Sequence, residues 1–520
     1  MKRARYLYAG ALVVALVVGL GFWRPTHVKA DRDHLPKFRV DASWPKELPA
    51  PVGYNQSTWP TPTPGDTVAH RWVQGEVAGS CTDEWDNVYT FNRGWQVGAT
   101  VNGVLQNNES GAIDGNDATA AKALPSPPVV AFAPDGRTIK ERSFGNPSLH
   151  LVAGTYGAYT GTAGIGRTAY MPYGSHGCFV DYQGYLYVGG NGDGIVQKYN
   201  PATNTGATTT YTLQIGTKDF CDTTTGICGA TANNSSQVLL NEPPDIAVDP
   251  EVGPVSGHTG DIYIADGYGN YRVVVFNPAL ASAGNPYGYV GQWGQSCGHI
   301  ETPNGTSTPG TPCPDNSFGA SGGGHPHCVV LGNDGNVYLC DRPNSRIIVI
   351  GKTSTWIQPS TGAGCTTVPA GACTAPTPAA PLRVMYVGTN GSTFPASASP
   401  GKVEAILSAG TRACDIDFYP NIDYKASQSP THQKYIVNVA LDADVTLLLD
   451  KESGDVLSAF GKCGIAPCPG HNAGEFAYNH TTNVDSRGNV YIAETITGRR
   501  IQKFVRVDDD DDRDRDRDHR

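Results

Sequence analysis

The stretch PHCVVLGNDGNVYLCDRPNSRIIVI, residues 326–350, is the most informative part of the sequence about the fold. It contains two short strands joined by a turn at Asp334-Gly335, then a polar turn and a third strand of Ile and Val. His327 opens this unit, and Tyr338 follows 11 residues later. A three-strand unit of this length cannot bury both of its faces alone, so it predicts neighbours of the same kind.

Self-comparison finds those neighbours. Residues 175–201 and 479–504 share the register, with His176 followed by Tyr187 and His480 followed by Tyr491. More divergent copies lie at 243–278, where Asp245 replaces the opening His, at 77–94, and at 412–421 continued by 434–450. Units of three or four antiparallel strands repeated in this way predict an all-β fold, a six-bladed β-propeller. A β-helix or several small sandwiches are the alternatives, and the shared register argues against both.

The spacing of the units is wide for a propeller, which indicates loop insertions. Four stretches rich in Gly, Thr, Pro, Ser and Asn account for the excess length and are expected to be surface loops: 100–125, 203–237, 298–322 and 355–400.

Composition agrees with a turn-rich β protein. Of 520 residues, 63 are Gly and 38 are Pro, while charged residues make up only 17%, which excludes a helical bundle. The 39% hydrophobic content excludes wholesale disorder. The net charge is -10 and no Lys/Arg cluster lies outside the extreme N-terminus, so nucleic acid is excluded as the main partner.

The two ends of the chain predict separate segments. Residues 1–30 combine basic residues, an apolar run and Val28-Lys29-Ala30, which is typical of a signal peptide or an N-terminal membrane anchor. Residues 31–70 are interpreted as an extended lead-in, 71–507 as the propeller, and 508–520 as a disordered Asp/Arg tail. The protein is therefore predicted to be secreted or periplasmic, touching a membrane only through that anchor.

Thirteen cysteines agree with export, because an oxidising compartment favours disulfides. Short spacings suggest five local pairs: Cys221 with Cys228, Cys297 with Cys313, Cys328 with Cys340, Cys365 with Cys373, and Cys463 with Cys468. Cys81, Cys178 and Cys414 are left over.

Particular motifs extend the interpretation to a family. DGNVYLCDRPNSRI, residues 334–347, resembles the NHL repeat of six-bladed propellers. ADGYGNYRVVVF (265–276) and NRG (92–94) look like the lyase half of the peptide-amidating enzyme, peptidyl-α-hydroxyglycine α-amidating lyase. The similarity runs from about Val73 to Phe504, interrupted by the insertions. It implies a zinc-dependent carbon-nitrogen lyase that splits a carbinolamide into an amide and glyoxylate.

The resemblance assigns roles to five residues. Zinc would be held by His176, His327 and His480, the three histidines that the repeat register singles out independently. Tyr268 would act as base or hydrogen-bond donor, and Arg93 would neutralise carboxylate charge. The family also has a structural calcium held partly by an Asp directly after the third histidine. Thr481 occupies that position here, which leaves only carbonyl positions near Ser80 and Cys178.

Other interpretations stay open. A single buried His is more often structural than a ligand, and only the shared register of three favours a metal. A non-catalytic propeller could bind a protein or glycan through its insertions, and related six-bladed propellers carry hydrolytic or lactonase chemistry.

The remaining polar residues of the repeats are expected to be structural. Asp245 is expected to be a turn or channel residue, and Asp341, Arg342 and Arg346 to form an ion pair at the blade edge. His299, His325 and His471 are expected in surface or loop positions. We expect a monomer acting on a small-molecule or peptide substrate.

Overall fold

The structure is a computed structural model. It describes residues 35–49, 72–93, 100–101, 104–105, 124–145, 171–172, 174–204, 210–218, 220–299, 313–319, 325–387, 413–420, 433–461 and 470–507. The described residues from Lys37 onward belong to one compact unit. The predicted signal or anchor segment and the Asp/Arg tail lie outside the described residues. No helix among the residues that the structure describes has the length and apolarity to cross a bilayer.

Strands form because β-branched and aromatic residues alternate between turns of Gly, Asp and Asn. They make six sheets of three or four strands, the blades of the predicted propeller. Blade 1 contains β3 (Val77–Thr82), β4 (Val88–Asn92) and β8 (Val129–Phe132); blade 2 contains β9 (Ser175–Val180), β10 (Leu186–Gly190), β11 (Val196–Tyr199) and β12 (Tyr211–Ile215); blade 3 contains β13 (Asp245–Val248), β14 (Ile262–Asp266), β15 (Arg272–Phe276) and β16 (Tyr289–Trp293).

The second half repeats the pattern. Blade 4 contains β17 (Val329–Leu331), β18 (Asn336–Asp341), β19 (Arg346–Gly351) and β20 (Arg383–Tyr386); blade 5 contains β21 (Ala413–Tyr419), β22 (Tyr435–Ala440), β23 (Val445–Asp450) and β24 (Val456–Phe460); blade 6 contains β25 (Asn479–Val484), β26 (Val490–Glu494), β27 (Arg500–Val507) and β1 (Lys37–Val40). Minor two-residue strands are β2 (Trp72–Val73), β5 (Thr100–Val101), β6 (Val104–Leu105) and β7 (Leu124–Pro125). Short 3-10 helices are Lys140–Arg142, Pro278–Leu280, Arg342–Asn344, Ala363–Thr366 and Leu441–Ala443.

The ring closes through β1. This strand runs antiparallel to β27, with Lys37 opposite Val507 and Val40 opposite Phe504. The outermost strand of the last blade therefore comes from the segment that the sequence interpretation assigned to an extended lead-in.

The repeat Tyr has a packing role that explains its fixed position. Tyr338 is fully buried between blades 4 and 5, where its ring meets Phe418 edge-on with centroids 4.9 Å apart. Its hydroxyl donates to Asp334 in the preceding turn at 2.7 Å. Tyr491 repeats the arrangement with Asp485 at 3.0 Å. The Tyr ring thus buries apolar surface between blades, and its hydroxyl keeps a hydrogen-bond partner.

Two predicted insertions contain blade strands. β12 lies within 203–237 and β20 within 355–400, and each is the fourth strand of its blade. The prediction of surface loops is wrong at these points. An edge strand faces solvent and can be polar, and the partly exposed side chains of β12 show why its sequence did not stand out.

Disulfides confirm four of the predicted local pairs: Cys221–Cys228, Cys297–Cys313, Cys328–Cys340 and Cys365–Cys373. The predicted Cys463–Cys468 pair lies outside the described residues. A fifth disulfide, Cys81–Cys178, joins the inner strands of blades 1 and 2 across 97 residues of sequence. Local spacing could not reveal it, because only the closed ring brings these strands together. Five disulfides within the described part of the chain indicate an extracellular protein.

The predicted blade-edge ion pair exists between Asp341 and Arg346, whose Oδ2 and Nε atoms lie 2.7 Å apart with both side chains fully buried. Asp266 and Arg272 form the same pair in blade 3 at 2.8 Å. A buried carboxylate and guanidinium in this geometry hold the turn between the second and third strands of a blade. Arg342 does not take part in this pair and is described below.

Candidate metal centre

The three register histidines meet in the central channel. His176 lies in β9, His480 in β25, and His327 two residues before β17, so they come from the inner strands of blades 2, 4 and 6. Their ring centroids are 4.5 to 5.1 Å apart. One ring nitrogen from each lies within 4.8 Å of the other two. The structure thus brings together the residues that the repeat pattern selects.

Each imidazole is oriented by the neighbouring blade. Nδ1 of His176 donates to the Pro244 carbonyl at 3.0 Å, and Nδ1 of His480 donates to the Ala78 carbonyl at 2.7 Å. Nδ1 of His327 donates to the Cys414 carbonyl. A proton fixed on Nδ1 leaves the Nε2 lone pair for a ligand, which is the usual second-sphere arrangement of metal-bound histidine.

Burial keeps these imidazoles neutral. Desolvation, with the nearby charges of Arg93 and Arg342, lowers the pKa of His480 to about 3. Burial and the other two histidines lower the pKa of His176 well below its usual value. Burial and Arg342 do the same for the pKa of His327. Neutral imidazole is the form that binds metal, so three converging neutral nitrogen donors fit zinc.

Tyr268 reaches this centre from the loop between β14 and β15. Its hydroxyl lies 3.2 Å from Nε2 of His176 and 3.2 Å from Nε2 of His327. The loop packs so tightly that a Cβ on Gly269 would lie 2.1 Å from Oδ1 of Asn241, so a larger residue would require the Asn241 side chain to move. The close packing fixes the direction in which Tyr268 projects.

Arg93 follows β4 and lies against the His176 strand. Its Nε donates to the Ser175 carbonyl at 2.9 Å and its Nη2 to Asn191 at 3.0 Å. Nη1 is 3.9 Å from the Glu76 carboxylate. The side chain is nearly buried, so its positive charge is held beside the histidines in a place of low dielectric.

Arg342 also belongs to this centre, contrary to the sequence interpretation. We expected it in the blade-edge ion pair, but Asp341 pairs with Arg346, and Nη1 of Arg342 donates to the Tyr268 hydroxyl at 3.3 Å. The position of Arg342 within its repeat could have indicated this role. Arg342 directly follows the second strand of blade 4, as Arg93 directly follows the second strand of blade 1.

The excursion between β12 and β13 supports Tyr268 instead of lying free on the surface. Asp222 accepts a hydrogen bond from Asn270 at 3.2 Å and lies 3.3 Å from Arg272. Asn234 accepts from the backbone N–H of Tyr271 at 2.9 Å. The expectation of a plain surface loop at 203–237 is therefore wrong here as well. The insertion braces the turn that carries Tyr268.

The other histidines are separate from the centre. His325 is buried, not at the surface, with its ring stacked on Tyr271 at a centroid distance of 4.8 Å. Burial, with a contribution from Arg342, lowers its pKa to about 3. His471 is exposed, as expected, and its Nε2 donates to the Thr497 carbonyl. His299 is partly buried beside the Cys297–Cys313 disulfide.

The calcium ligand set implied by the resemblance does not fit this chain. Thr481 follows His480 in β25 and is almost fully buried, and its hydroxyl has no hydrogen-bond partner among the described residues. A neutral hydroxyl does not supply the charge that a carboxylate gives to a calcium site. We therefore derive no step that involves calcium bound through this position.

Comparison with known proteins identifies the repeat. Residues 324–350 match the NHL repeat. No curated protein sequence matches the chain. Among solved structures, the chain is similar to a streptogramin B lyase structure, with 10% identity and a TM-score of 0.36 over 84% of this chain and 94% of that one.

Two similar structures are of virginiamycin B lyase from Staphylococcus aureus. The selenomethionine-substituted form has 11% identity and a TM-score of 0.32 over 83% of this chain and 84% of that one. A catalytically inactive variant with quinupristin has 9% identity and a TM-score of 0.34 over the same shares. We infer no chemistry from likenesses at this level. The matched repeat covers the opening histidine and the three inner strands of blade 4, inside a six-bladed propeller.

Proposed function

We propose that the protein is an exported zinc-dependent carbon-nitrogen lyase that cleaves a carbinolamide of the α-hydroxyglycine type into an amide and glyoxylate. The observation that carries the proposal is the convergence of three neutral imidazoles with Tyr268 and two arginines in one channel mouth. The motifs at 92–94, 265–276 and 334–347 support it, since they resemble the amidating lyase.

The reaction needs a proton to leave the substrate hydroxyl while the C–N bond breaks. The hydroxyl carbon becomes the aldehyde of glyoxylate, and the amide nitrogen takes up a proton. Bound zinc would supply Lewis acidity toward the substrate hydroxyl. His176, His327 and His480 would hold it through Nε2, because their Nδ1 atoms are committed to backbone carbonyls.

We assign the proton transfer to Tyr268. Its oxygen lies within hydrogen-bond distance of two of the imidazole Nε2 atoms, which is where a substrate hydroxyl would bind. Arg342 donates to the same oxygen, and a cation at that position stabilises negative charge that develops on the phenol oxygen during transfer.

We assign binding of the substrate carboxylate to Arg93. Its Nε and Nη2 are occupied by carbonyl and amide oxygens, which hold the guanidinium plane still while Nη1 remains 3.9 Å from Glu76. A fixed guanidinium recognises a carboxylate with little further loss of side-chain freedom. This would orient the hydroxyl-bearing carbon toward the histidines.

The test is glyoxylate release from a peptide ending in α-hydroxyglycine. We expect about one zinc per chain by elemental mass spectrometry, and turnover that His327→Ala abolishes together with the zinc. His471→Ala, at an exposed histidine, is the matched control and should keep both. Protein that holds zinc but releases no glyoxylate from any such peptide would contradict the proposed reaction while leaving the metal centre intact.

A further inference from the structure

A second cluster of metal-binding side chains lies outside the central channel, at a disulfide between blades 3 and 4. Cys297 and Cys313 form the disulfide, and His299 follows Cys297 by two residues. The ligand atoms of the three side chains lie within 4.8 Å of one another. No other disulfide within the described ranges has a histidine in such a cluster. We call Cys297, His299 and Cys313 the clip.

The imidazole of His299 faces both sulfur atoms of the clip. Its Nε2 lies 3.6 Å from Sγ of Cys297 and 3.8 Å from Sγ of Cys313, and its Nδ1 lies 3.4 Å from Sγ of Cys297. A tetrahedral zinc ion, with bonds of about 2.3 Å to sulfur and about 2.0 Å to nitrogen, separates such atoms by about 3.5 Å. The nitrogen-to-sulfur distances of the clip therefore match those of a zinc site.

Only the bond between the two sulfur atoms must change for a metal to bind. A dithiol reductant passes two electrons to the S–S bond and becomes a disulfide itself, while Cys297 and Cys313 each gain a proton. Zinc binding then displaces these two protons, because the thiolate is the form that binds metal. On one tetrahedral ion the two sulfur atoms would lie about 3.8 Å apart.

Backbone hydrogen bonds hold the clip in place independently of the S–S bond. The N–H of Cys297 donates to the Phe318 carbonyl at 2.8 Å, and the N–H of Phe318 donates to the Gln295 carbonyl at 2.8 Å. The Arg346 guanidinium donates to the Cys313 carbonyl at 3.4 Å. Reduction of the disulfide therefore leaves the two thiols beside the imidazole, as a metal site requires.

The exposure and chemistry of the clip also suit zinc. Cys297 and His299 are partly exposed, whereas Cys313 is buried, so an ion and a water molecule can reach the cluster from one side. Zinc with three protein ligands keeps its fourth position for water. Two thiolates balance the charge of the ion, and sulfur and nitrogen donors disfavour calcium and magnesium.

We infer that the clip is a second metal site that forms only in the reduced protein, where Cys297, His299 and Cys313 bind a zinc ion in place of the disulfide. The chain between the two cysteines is then closed in either redox state, by the S–S bond after oxidation and by the metal after reduction. The site would keep this connection between blades 3 and 4 whenever a thiol reductant opens the disulfide.

The inference goes beyond the lyase reaction and does not depend on it. The channel histidines offer nitrogen ligands in both redox states, so the clip is measured as the difference in zinc content between reduced and oxidised protein. Failure of the glyoxylate assay would leave that difference unchanged. Absence of the difference would leave the lyase proposal standing.

The experiment treats the full-length protein with a phosphine, which reduces a disulfide by taking up oxygen from water and offers zinc no thiol. Zinc content after gel filtration, measured by elemental mass spectrometry, should rise by about one per chain on reduction. Cobalt(II) is the spectroscopic probe, because thiolate ligands give it a charge-transfer band in the near ultraviolet that imidazole ligands do not. The band should appear in reduced wild-type protein and be absent from oxidised protein.

Three variants locate the site. Cys297→Ser/Cys313→Ser should show neither the added zinc nor the cobalt band. His299→Ala keeps the disulfide of the oxidised protein, and after reduction it should bind cobalt more weakly by roughly tenfold or more, since even outer-shell partners contribute that much. Cys221→Ser/Cys228→Ser is the matched control, because it removes another short-range disulfide but leaves the clip unchanged. It should keep both signals.

Reduced wild-type protein that shows neither the added zinc nor the band would overturn the inference. So would a band that persists undiminished in Cys297→Ser/Cys313→Ser, because it would come from other thiols. Circular dichroism should accompany each measurement, and reduced wild-type protein that unfolds even in the presence of zinc would contradict the inference as well. If the double serine variant does not fold, His299→Ala decides the matter, and an unchanged cobalt affinity in that variant would count against the site.

Discussion

Nη1 of Arg342 donates to the hydroxyl of Tyr268 at 3.3 Å across the boundary between blades 3 and 4. The guanidinium also lies over the tyrosine ring, 5.5 Å from its centroid. Two turns from neighbouring repeats thus meet at one oxygen atom, beside the imidazoles of His176 and His327. Substitutions of Arg342, Tyr268 and the histidines can therefore separate the contributions of the positive charge, the phenol hydroxyl and the metal.

Replacing Arg342 should impair turnover without removing metal. A hydrogen bond from a charged donor is worth about 1.5–3 kcal/mol, so Arg342→Ala should lower kcat/KM by roughly ten- to a hundredfold. Arg383→Ala is the control, because Arg383 also donates to a tyrosine, Tyr338, but lies on the outer strand of blade 4. Zinc content and glyoxylate release should be measured together. Equal losses of turnover in both variants would contradict a role for Arg342 in the site.

Removing the Tyr268 hydroxyl should also spare the metal. Tyr268→Phe keeps the ring but deletes the hydroxyl that we propose transfers the proton, and such groups contribute on the order of a hundredfold or more to rate. The expected result is one zinc per chain with strongly reduced kcat. Tyr271→Phe, at the next tyrosine in the same loop, should behave like the wild type. Normal turnover in Tyr268→Phe would refute the assignment.

Metal-free protein should lose stability in acid because of its buried histidines. The pKa of His480 falls from 6.5 in the unfolded chain to about 3 in the folded one, so the unfolded chain binds the extra proton. The full stability is present above about pH 6.5 and declines toward pH 3, by up to about 1.4 kcal/mol per pH unit for each histidine. Urea midpoints at pH 7, 5.5 and 4.5 measure this. His480→Gln should give a shallower decline, and identical slopes would contradict the explanation.

Asp245→Asn should stabilise the protein at alkaline pH. The pKa of Asp245 rises from 3.8 to about 7 on folding, so the folded state holds a proton that the unfolded chain has released. The resulting loss of folding stability is absent below about pH 4, grows as pH rises and reaches its full size above about pH 7. Melting temperatures at pH 8 and pH 4 should show the variant more stable than the wild type only at pH 8. An equal advantage of the variant at both pH values would contradict this explanation.

Most of the fold follows from the repeat, because each blade places its strands and turns in sequence with the same spacing. The opening histidines and the buried tyrosines at Tyr187, Tyr338 and Tyr491 mark that spacing. Edge strands such as β12 cannot be recognised from this spacing, because one of their faces is solvated and accepts many residue types. These strands are expected because a propeller blade contains them, and not because of their own residues.

The residues of the candidate centre also divide into those that the repeat predicts and those that it does not. His176, His327 and His480 share a register, so symmetry brings them together. Arg342 and the Cys81–Cys178 disulfide depend on contacts between blades, which no single unit encodes. The bracing of Tyr268 by the insertion before β13 likewise joins a loop to a turn in the following blade. Such contacts depend on the angle between blades and on loop paths that spacing alone does not specify.

The pairing of β1 with β27 links the blade that carries His480 to a segment from the opposite end of the described chain. His480 comes long after the other two histidines in the chain, in a blade that is complete only when Lys37–Val40 has returned to pair with Val505 and its neighbours. A chain that ends before blade 6 contains two of the imidazoles but not the third. Zinc captured by the full set would then report that both ends of the ring have met, and a chain cut within either strand should lose its metal even though every ligand remains in its sequence.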